Sequence, residues 1–170
     1  MSMRVRTRLR TLILTIAVVL VVLLGLTSAS CARKAAPTET LPEEVSIPIN
    51  AENANNIGAL HLELVYDPAV LEPTEVEKGV LSGNAMLEFN IDMPGRVVIG
   101  MIDAAGMSGD GSLVVVSFRV IGKEGTRTLD LEKVAAHDAA SLMDVPTKAT
   151  AGSFTVKDYS FKPPVILFSP

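Results

Sequence analysis

Alternation of apolar and polar residues marks the clearest strand of the chain, within residues 57–72. The apolar positions are Leu60, Leu62, Leu64 and Tyr66, and the positions between them are His61, Glu63 and Val65. A period of two residues is typical of a β-strand that buries one face. The strand is predicted to end at Asp67-Pro68, because proline fixes φ and has no N–H to donate.

Similar short alternating segments recur at intervals of 8 to 12 residues, separated by Gly, Pro and Asn. Strands are predicted at 45–49, 60–66, 74–78, 86–92, 96–102, 112–121, 126–131, 148–151 and 152–156, with turns or loops at 50–56, 93–95 and 106–111. Pro48 places the first strand at a sheet edge. Within 133–143, residues 134–136 fit an extension of the strand, and residues 139–143 fit one helical turn. This spacing, without a useful helical period, predicts an all-β, two-sheet antiparallel sandwich.

The N-terminal segment has the order of a secretory signal. Four arginines lie within residues 1–10, an apolar run covers 12–26, and small residues then lead to Cys31, the single cysteine. A small-residue run ending in cysteine resembles a bacterial lipobox, which predicts lipidation of Cys31. An uncleaved membrane anchor and ordinary cleavage near Ala29 are the alternatives. Each predicts export, and the first two predict anchoring to the outer face of the cell membrane.

Four regions follow from these patterns. Residues 1–31 are predicted to be the signal peptide or membrane anchor, and 32–44, which are polar and contain proline, a flexible linker. Residues 45–157 form the predicted sandwich domain. Residues 158–170 form an apolar C-terminal tail, and the sequence leaves open whether it packs on the sandwich.

Composition and charge narrow the classes of ligand. The chain has no tryptophan and two tyrosines, which disfavours sugar binding by ring stacking. Without the four arginines of residues 1–10, eleven basic residues face nineteen acidic ones. This acidic balance argues against nucleic acid as a partner.

Candidate catalytic and metal-binding residues do not form recognisable motifs. The two histidines, His61 and His137, lack metal-ligand spacing, and the neighbours His137 and Asp138 would face opposite sides of a strand. Four aspartates near loop ends are considered as calcium ligands, but they lack a D-x-D-x-D-G pattern; they are Asp103, Asp110, Asp138 and Asp144. Glu72, Glu75 and Glu77 cluster around one short strand, where a glycosidase would need two acids that face one cleft. The glycine-rich segment 106–111 precedes a strand, whereas a phosphate loop precedes a helix. We therefore predict no enzyme activity, no metal site and no cofactor.

Several stretches together resemble the cohesin module of cellulosome-type scaffold proteins. They are Val45-x-Ile47-Pro48-Ile49 with the asparagine turn, Ile57-Gly58-Ala59 through Tyr66-Asp67-Pro68-Ala69-Val70-Leu71-Glu72, Gly109-x-Gly111-Ser112-Leu113 through Phe118-Arg119-Val120, and Ala151-Gly152-Ser153-Phe154-Thr155-Val156. The resemblance covers about residues 45–157. It implies a nine-stranded jelly roll, related in fold to some carbohydrate-binding modules, and a non-catalytic role in binding a calcium-loaded dockerin domain of another protein.

The resemblance also implies where a partner binds. In scaffold-type cohesins the strand before Y-D-P presents an Asn and an Asp to the dockerin, and the matching positions here are Ala59 and His61. The predicted partner-binding face is therefore Ala59, His61, Glu63 and Val65, joined by the 86–102 hairpin. The function expected is a surface-tethered, cohesin-like module in a setting of extracellular polysaccharide breakdown. The alternatives are a carbohydrate-binding module and a structural part of an envelope assembly, in which 165–168 would be a docking strand.

Overall fold

The computed structural model describes residues 44–169, which form ten β-strands and no helix. The strands are β1 (Glu44–Val65), β2 (Leu71–Lys78), β3 (Met86–Asn90), β4 (Arg96–Val120), β5 (Thr126–Asp138), β6 (Asp144–Val145), β7 (Thr147–Thr150), β8 (Gly152–Thr155), β9 (Ser160–Lys162) and β10 (Val165–Phe168). The all-β class predicted from the alternation is confirmed. Residues 133–138 belong to β5, so the strand is extended as one alternative predicted, and residues 139–141 form a turn in which the Leu142 N–H donates to the Asp138 carbonyl.

The first sheet has the order β2, second half of β4, first half of β1, β10, β7. Residues 44–49 of β1 pair with β4 alone, so Pro48 lies where no second neighbour needs its missing N–H, as predicted for an edge. Next along β1, residues 50–52 pair in parallel with β10. The other pairings of the described strands are antiparallel.

The second sheet has the order β3, first half of β4, second half of β1, β5, β6. The predicted 86–102 hairpin is present as β3 and the first half of β4. The beginning of β5 pairs separately with β8, and β8 with β9. β1 and β4 thus pass through both layers of the sandwich.

The predictions of a turn at 50–56 and of a loop at 106–111 were wrong. Both segments stay paired as irregular stretches of β1 and β4, with register shifts between Ile49 and Ala59. Asn53 and Asn56 have φ of 57° and 55°, and Gly106, which lies against Asn56, has φ of 79°. A Cβ on Gly106 would come within 3.0 Å of the Asn56 Cα, so glycine is needed there. These bulged segments carry each strand from the first sheet to the second.

The C-terminal segment packs on the sandwich, which answers a question that the sequence left open. β10 inserts between β1 and β7, and its side chains Ile166 and Phe168 are buried. The 165–168 docking strand of the envelope-assembly alternative is therefore already paired within the chain.

The core lies between the two sheets and is mainly aliphatic. Fully enclosed side chains include Ile47, Ile49, Leu62, Leu64, Ile99, Val116, Phe118 and Phe154. The predicted inward face of Leu60, Leu62, Leu64 and Tyr66 is confirmed. The Tyr66 ring packs edge-on against Phe118, with ring centroids 5.2 Å apart. With this face of the second sheet buried, its other face is left for contact with other molecules.

Candidate functional site

The outer face of the second sheet carries small, apolar, histidine and glutamate side chains. Strand register places them in two rows, with Met86, Ile102, Ala59 and His137 in one row and Glu88, Gly100, His61 and Ala135 in the other. We call these eight residues the binding face. Met86 and Ile102 are 69% and 61% exposed, which is high for apolar residues on a sheet. Exposed apolar patches of this kind mark surfaces that contact other molecules.

A shallow depression of about 360 Å³ lies in the binding face. Its floor is low because Gly100, Ala59 and Ala135 have little or no side chain. Longer side chains of the binding face, among them Met86, Ile102 and both histidines, also line it. The depression is therefore a mainly apolar hollow that has three polar side chains, His61, Glu88 and His137, in its lining.

Glu63 lies on the same side of β1 as His61, yet it is 6% exposed. Arg96 on β4 donates to one carboxylate oxygen, and the Lys133 Nζ donates to the other at 2.9 Å. Arg96 also pairs with Glu132 at 2.8 Å. The hydrogen bond from Lys133, with that from Arg96, outweighs burial and lowers the pKa of Glu63. Glu63 is thus part of an internal ion network at the end of the binding face, and its carboxylate is already fully engaged.

A bulge in β5 builds this network. His61 lies opposite Ala135, whereas Glu63 lies opposite Glu132, so β5 has one extra residue between these pairs. Lys133, within the bulge, has φ of 49°, a conformation that costs energy for a residue with a side chain. The bulge allows Glu132 and Lys133, which are adjacent in sequence, to approach the same cluster.

His137 has a carboxylate partner other than its sequence neighbour. Its Nδ1 lies 2.9 Å from Asp144 Oδ1 on β6. Asp138 instead accepts hydrogen bonds from the Ala140 and Ser141 backbone and from the Asn56 side chain. The prediction that His137 and Asp138 face opposite sides therefore agrees with these separate contacts.

The acids considered for calcium have separate structural roles. Asp103 accepts from the Ala105 N–H, and Asp110 accepts from the Asn53 N–H. Hydrogen bonds to its carboxylate lower the pKa of Asp138 to about 2, and those from the Ser141 backbone and side chain have the largest effect. Within residues 44–169, no three His, Cys, Asp or Glu side chains are grouped to hold a metal ion.

The structure brings together part of the predicted face and adds residues that the sequence analysis missed. Ala59 and His61 lie in the binding face, Glu63 is in the ion network, and Val65 is half-buried at the end of β1. The missed residues are Met86, Glu88, Gly100, Ile102, Ala135 and His137, although the 86–102 hairpin was expected to contribute. A glycine inside a predicted strand was a usable signal for Gly100, because strand glycines often mark close approach of a ligand.

The predicted lipidation site Cys31 and the apolar run at 12–26 lie outside the described residues. Among the residues that are described, none forms a helix of the length and apolar character that crossing a membrane requires.

Comparison with known proteins assigns the family. The cohesin domain model matches residues 37–156. No curated protein sequence matches the chain significantly. A non-cellulosomal cohesin from Archaeoglobus fulgidus is 25% identical, with a TM-score of 0.54 over 75% of this chain and 81% of that one.

Two further solved structures show the same fold at lower identity. The sixth cohesin of Acetivibrio cellulolyticus scaffoldin B, in complex with a mutant Cel5 dockerin, is 15% identical, with a TM-score of 0.58 over 75% of this chain and 89% of that one. A Clostridium thermocellum cohesin–dockerin complex, Coh-OlpA-Doc918, gives 12% identity and a TM-score of 0.54, covering 75% and 89%. The sandwich and the family match together establish that this chain belongs to the cohesin domain family.

Proposed function

We propose that this chain is a non-catalytic protein-binding module whose binding face holds a dockerin-type partner. The observation that carries the proposal is the exposed apolar surface around Ile102 and Met86, on a sheet whose other side forms the core. Related cohesins have been solved in complex with dockerins, which supports a partner of that type. The binding face has no Trp, Tyr or Phe on which a sugar ring would stack.

The sheet supplies a rigid base for such binding. Leu60, Leu62 and Leu64 fix β1 against the core, so the backbone beneath Ala59 and His61 is held before a partner arrives. A preformed surface reduces the ordering cost of association. Affinity is expected to depend on a few central apolar side chains.

The proposal is tested by calorimetry with the full chain in mild detergent against a panel of calcium-loaded dockerin modules. We expect at least one module to bind, and Ile102→Asp to weaken that binding by ~30-fold or more, since it places a charge in a desolvated contact. Val80→Asp is the matched control, because Val80 is 86% exposed and lies outside the binding face. It should bind as the wild type does.

Failure of every dockerin to bind, together with retention of the chain on cellulose or chitin, would overturn the proposal in favour of carbohydrate binding. Equal affinity of wild type and Ile102→Asp would place the contact elsewhere on the molecule.

We further propose that the chain is exported and tethered to the outer face of the membrane through residues 1–31, in a setting of extracellular polysaccharide breakdown. The supporting pattern is the arginine-rich start, the apolar run and the small residues before Cys31. Metabolic labelling with a fatty acid should mark the wild type and not Cys31→Ser. Labelling that persists in Cys31→Ser, or is absent from the wild type, would reject lipidation.

A further inference from the structure

Gly100 is a glycine that the fold itself does not require. It lies in the middle of β4, between Glu88 on β3 and His61 on β1. Its φ is outside the left-handed region, and a Cβ at this position would have no heavy atom within 4 Å. Neither backbone conformation nor packing therefore explains the absence of a side chain. Glycine inside a strand is unfavourable for stability, because it has more freedom to lose on folding.

The consequence of the missing side chain lies on the outer surface. Val97, Ile99 and Met101 point into the core, so the side chain at position 100 would project into the binding face. Gly100 forms the floor of the 360 Å³ depression, and His61 and Ile102 are among the residues that line it. Any larger residue at this position would fill the hollow from below.

The charges around the depression indicate the chemistry of its occupant. Glu88 lines the depression, and among residues 44–169 no basic side chain pairs with it. Nearby, Arg96 and Lys133 are already occupied by the carboxylates of the ion network. The described range contains nine basic and seventeen acidic residues, so the surface as a whole also attracts positive charge. The free charge beside the hollow is thus negative.

We propose that the depression over Gly100 is the specificity pocket of this module, and that it receives one apolar side chain of the partner protein flanked by a basic residue that pairs with Glu88. This rests on the proposed function, because it assumes that the partner binds on the same face. Gly100 sets the depth of the pocket, and Glu88 selects the charge of the neighbouring residue. A second copy of this chain is a poorer occupant, because two strongly acidic domains repel each other.

The test combines Gly100→Leu with calorimetry against the dockerin that binds the wild type. Because the space above Gly100 is open, the variant should fold and melt no lower than the wild type, while its affinity falls ~30-fold or more. Gly83→Leu is the control, since Gly83 also has open space but lies outside the binding face. Glu88→Lys should weaken binding about 10-fold, and Glu77→Lys, on β2, should not.

The possible outcomes distinguish failure of the pocket proposal from failure of the proposed function. If Ile102→Asp abolishes binding while Gly100→Leu and Glu88→Lys bind as the wild type does, the pocket is wrong and the binding face stands. If Ile102→Asp also binds normally, both proposals fail. If the wild type self-associates without dockerin and Gly100→Leu prevents it, the occupant is a second copy and our assignment is overturned.

A small probe tests the pocket when no dockerin in the panel binds. Isobutylamine carries a branched apolar group and an ammonium, so it represents the proposed pair of groups. In NMR spectra of the full chain in micelles, it should shift the resonances of Ala59, Gly100 and Ala135, and these shifts should be lost in Gly100→Leu in the same micelles. Absence of the shifts in the wild type, or their persistence in the variant, would contradict the pocket.

Discussion

Glu63 lies at a position that alternation assigns to the outside of β1, yet only 6% of its surface is exposed. The reason is long-range, because Arg96 comes from the hairpin return and Lys133 from a bulge 70 residues away in sequence. Neither partner is visible in the local pattern around Glu63. The alternation correctly predicts the side of β1 on which Glu63 lies, but it does not predict the ion network that encloses the carboxylate.

Replacing Glu63 with glutamine should lower the Tm more than replacing Glu72. Glu63→Gln removes a nearly buried carboxylate that accepts from both Arg96 and Lys133, so two charge-assisted hydrogen bonds are lost in one substitution. Glu72 pairs with Arg119 at an exposed site, so Glu72→Gln should change the free energy of unfolding by about 1 kcal/mol or less. Thermal denaturation of the two variants compares them directly. Equal shifts would show that the network contributes no more than a surface pair.

Asp138 should make the domain sensitive to strong acid. Its pKa is lowered from 3.8 to about 2 in the folded protein, chiefly by hydrogen bonds from Ser141. Between these values the unfolded chain binds a proton that the folded chain does not, so stability falls as pH falls. Urea unfolding of the wild type from pH 5 to pH 2 should show this loss, and it should be smaller in Asp138→Ala. The same slope in both proteins would contradict the assignment to Asp138.

At the scale of elements, the predictable part of the fold is the regular part. The sandwich, the strand ending at Asp67-Pro68 and the 86–102 hairpin all depend on local alternation and turn residues. The passages at 50–56 and 106–111 have the composition of loops, and in the structure they are bulged strands. Their asparagines and glycines serve left-handed backbone positions inside the strands, and a sequence pattern alone does not distinguish this use from a turn.

The candidate site was predictable to a smaller degree. Ala59 and His61 follow from alternation in one strand. Gly100, Ile102 and Ala135 join them only through the pairing register of β4 and β5 with β1, which sets neighbours far apart in sequence. The sequence alone therefore predicts the binding-face residues of one strand, whereas the other residues are identified only from the strand pairing of the folded sheet.

β10 is the element whose contribution to stability is most directly testable. Ile166 is fully buried in β10, which follows the residues of the family match and lies between β1 and β7, so Ile166→Ala should cost about 2–5 kcal/mol by leaving a cavity. Phe161→Ala is the control, because 40% of Phe161 is exposed and its loss should matter less. Urea denaturation measures both. A small loss for Ile166→Ala would indicate that β10 is not needed for the fold.

At the scale of the whole molecule, the two sheets have different roles. In the first sheet, β10 pairs with β1, so a strand near the end of the described residues is hydrogen-bonded to the first strand. The second sheet turns its buried face to the same core and leaves the apolar binding face exposed. The acidic balance of the described residues should attract a basic partner, so the association rate should fall as salt is added.

The central claim is that a protein partner covers the binding face, and hydroxyl-radical footprinting of the full chain tests it most directly. Met86 and His61 are exposed and carry reactive side chains, while Phe161 on β9 is an internal reference away from this face. In a complex saturated with a calcium-loaded dockerin, we predict that oxidation of Met86 and His61 falls several-fold and that of Phe161 does not change. Unchanged oxidation of Met86 and His61 in the saturated complex would contradict the account.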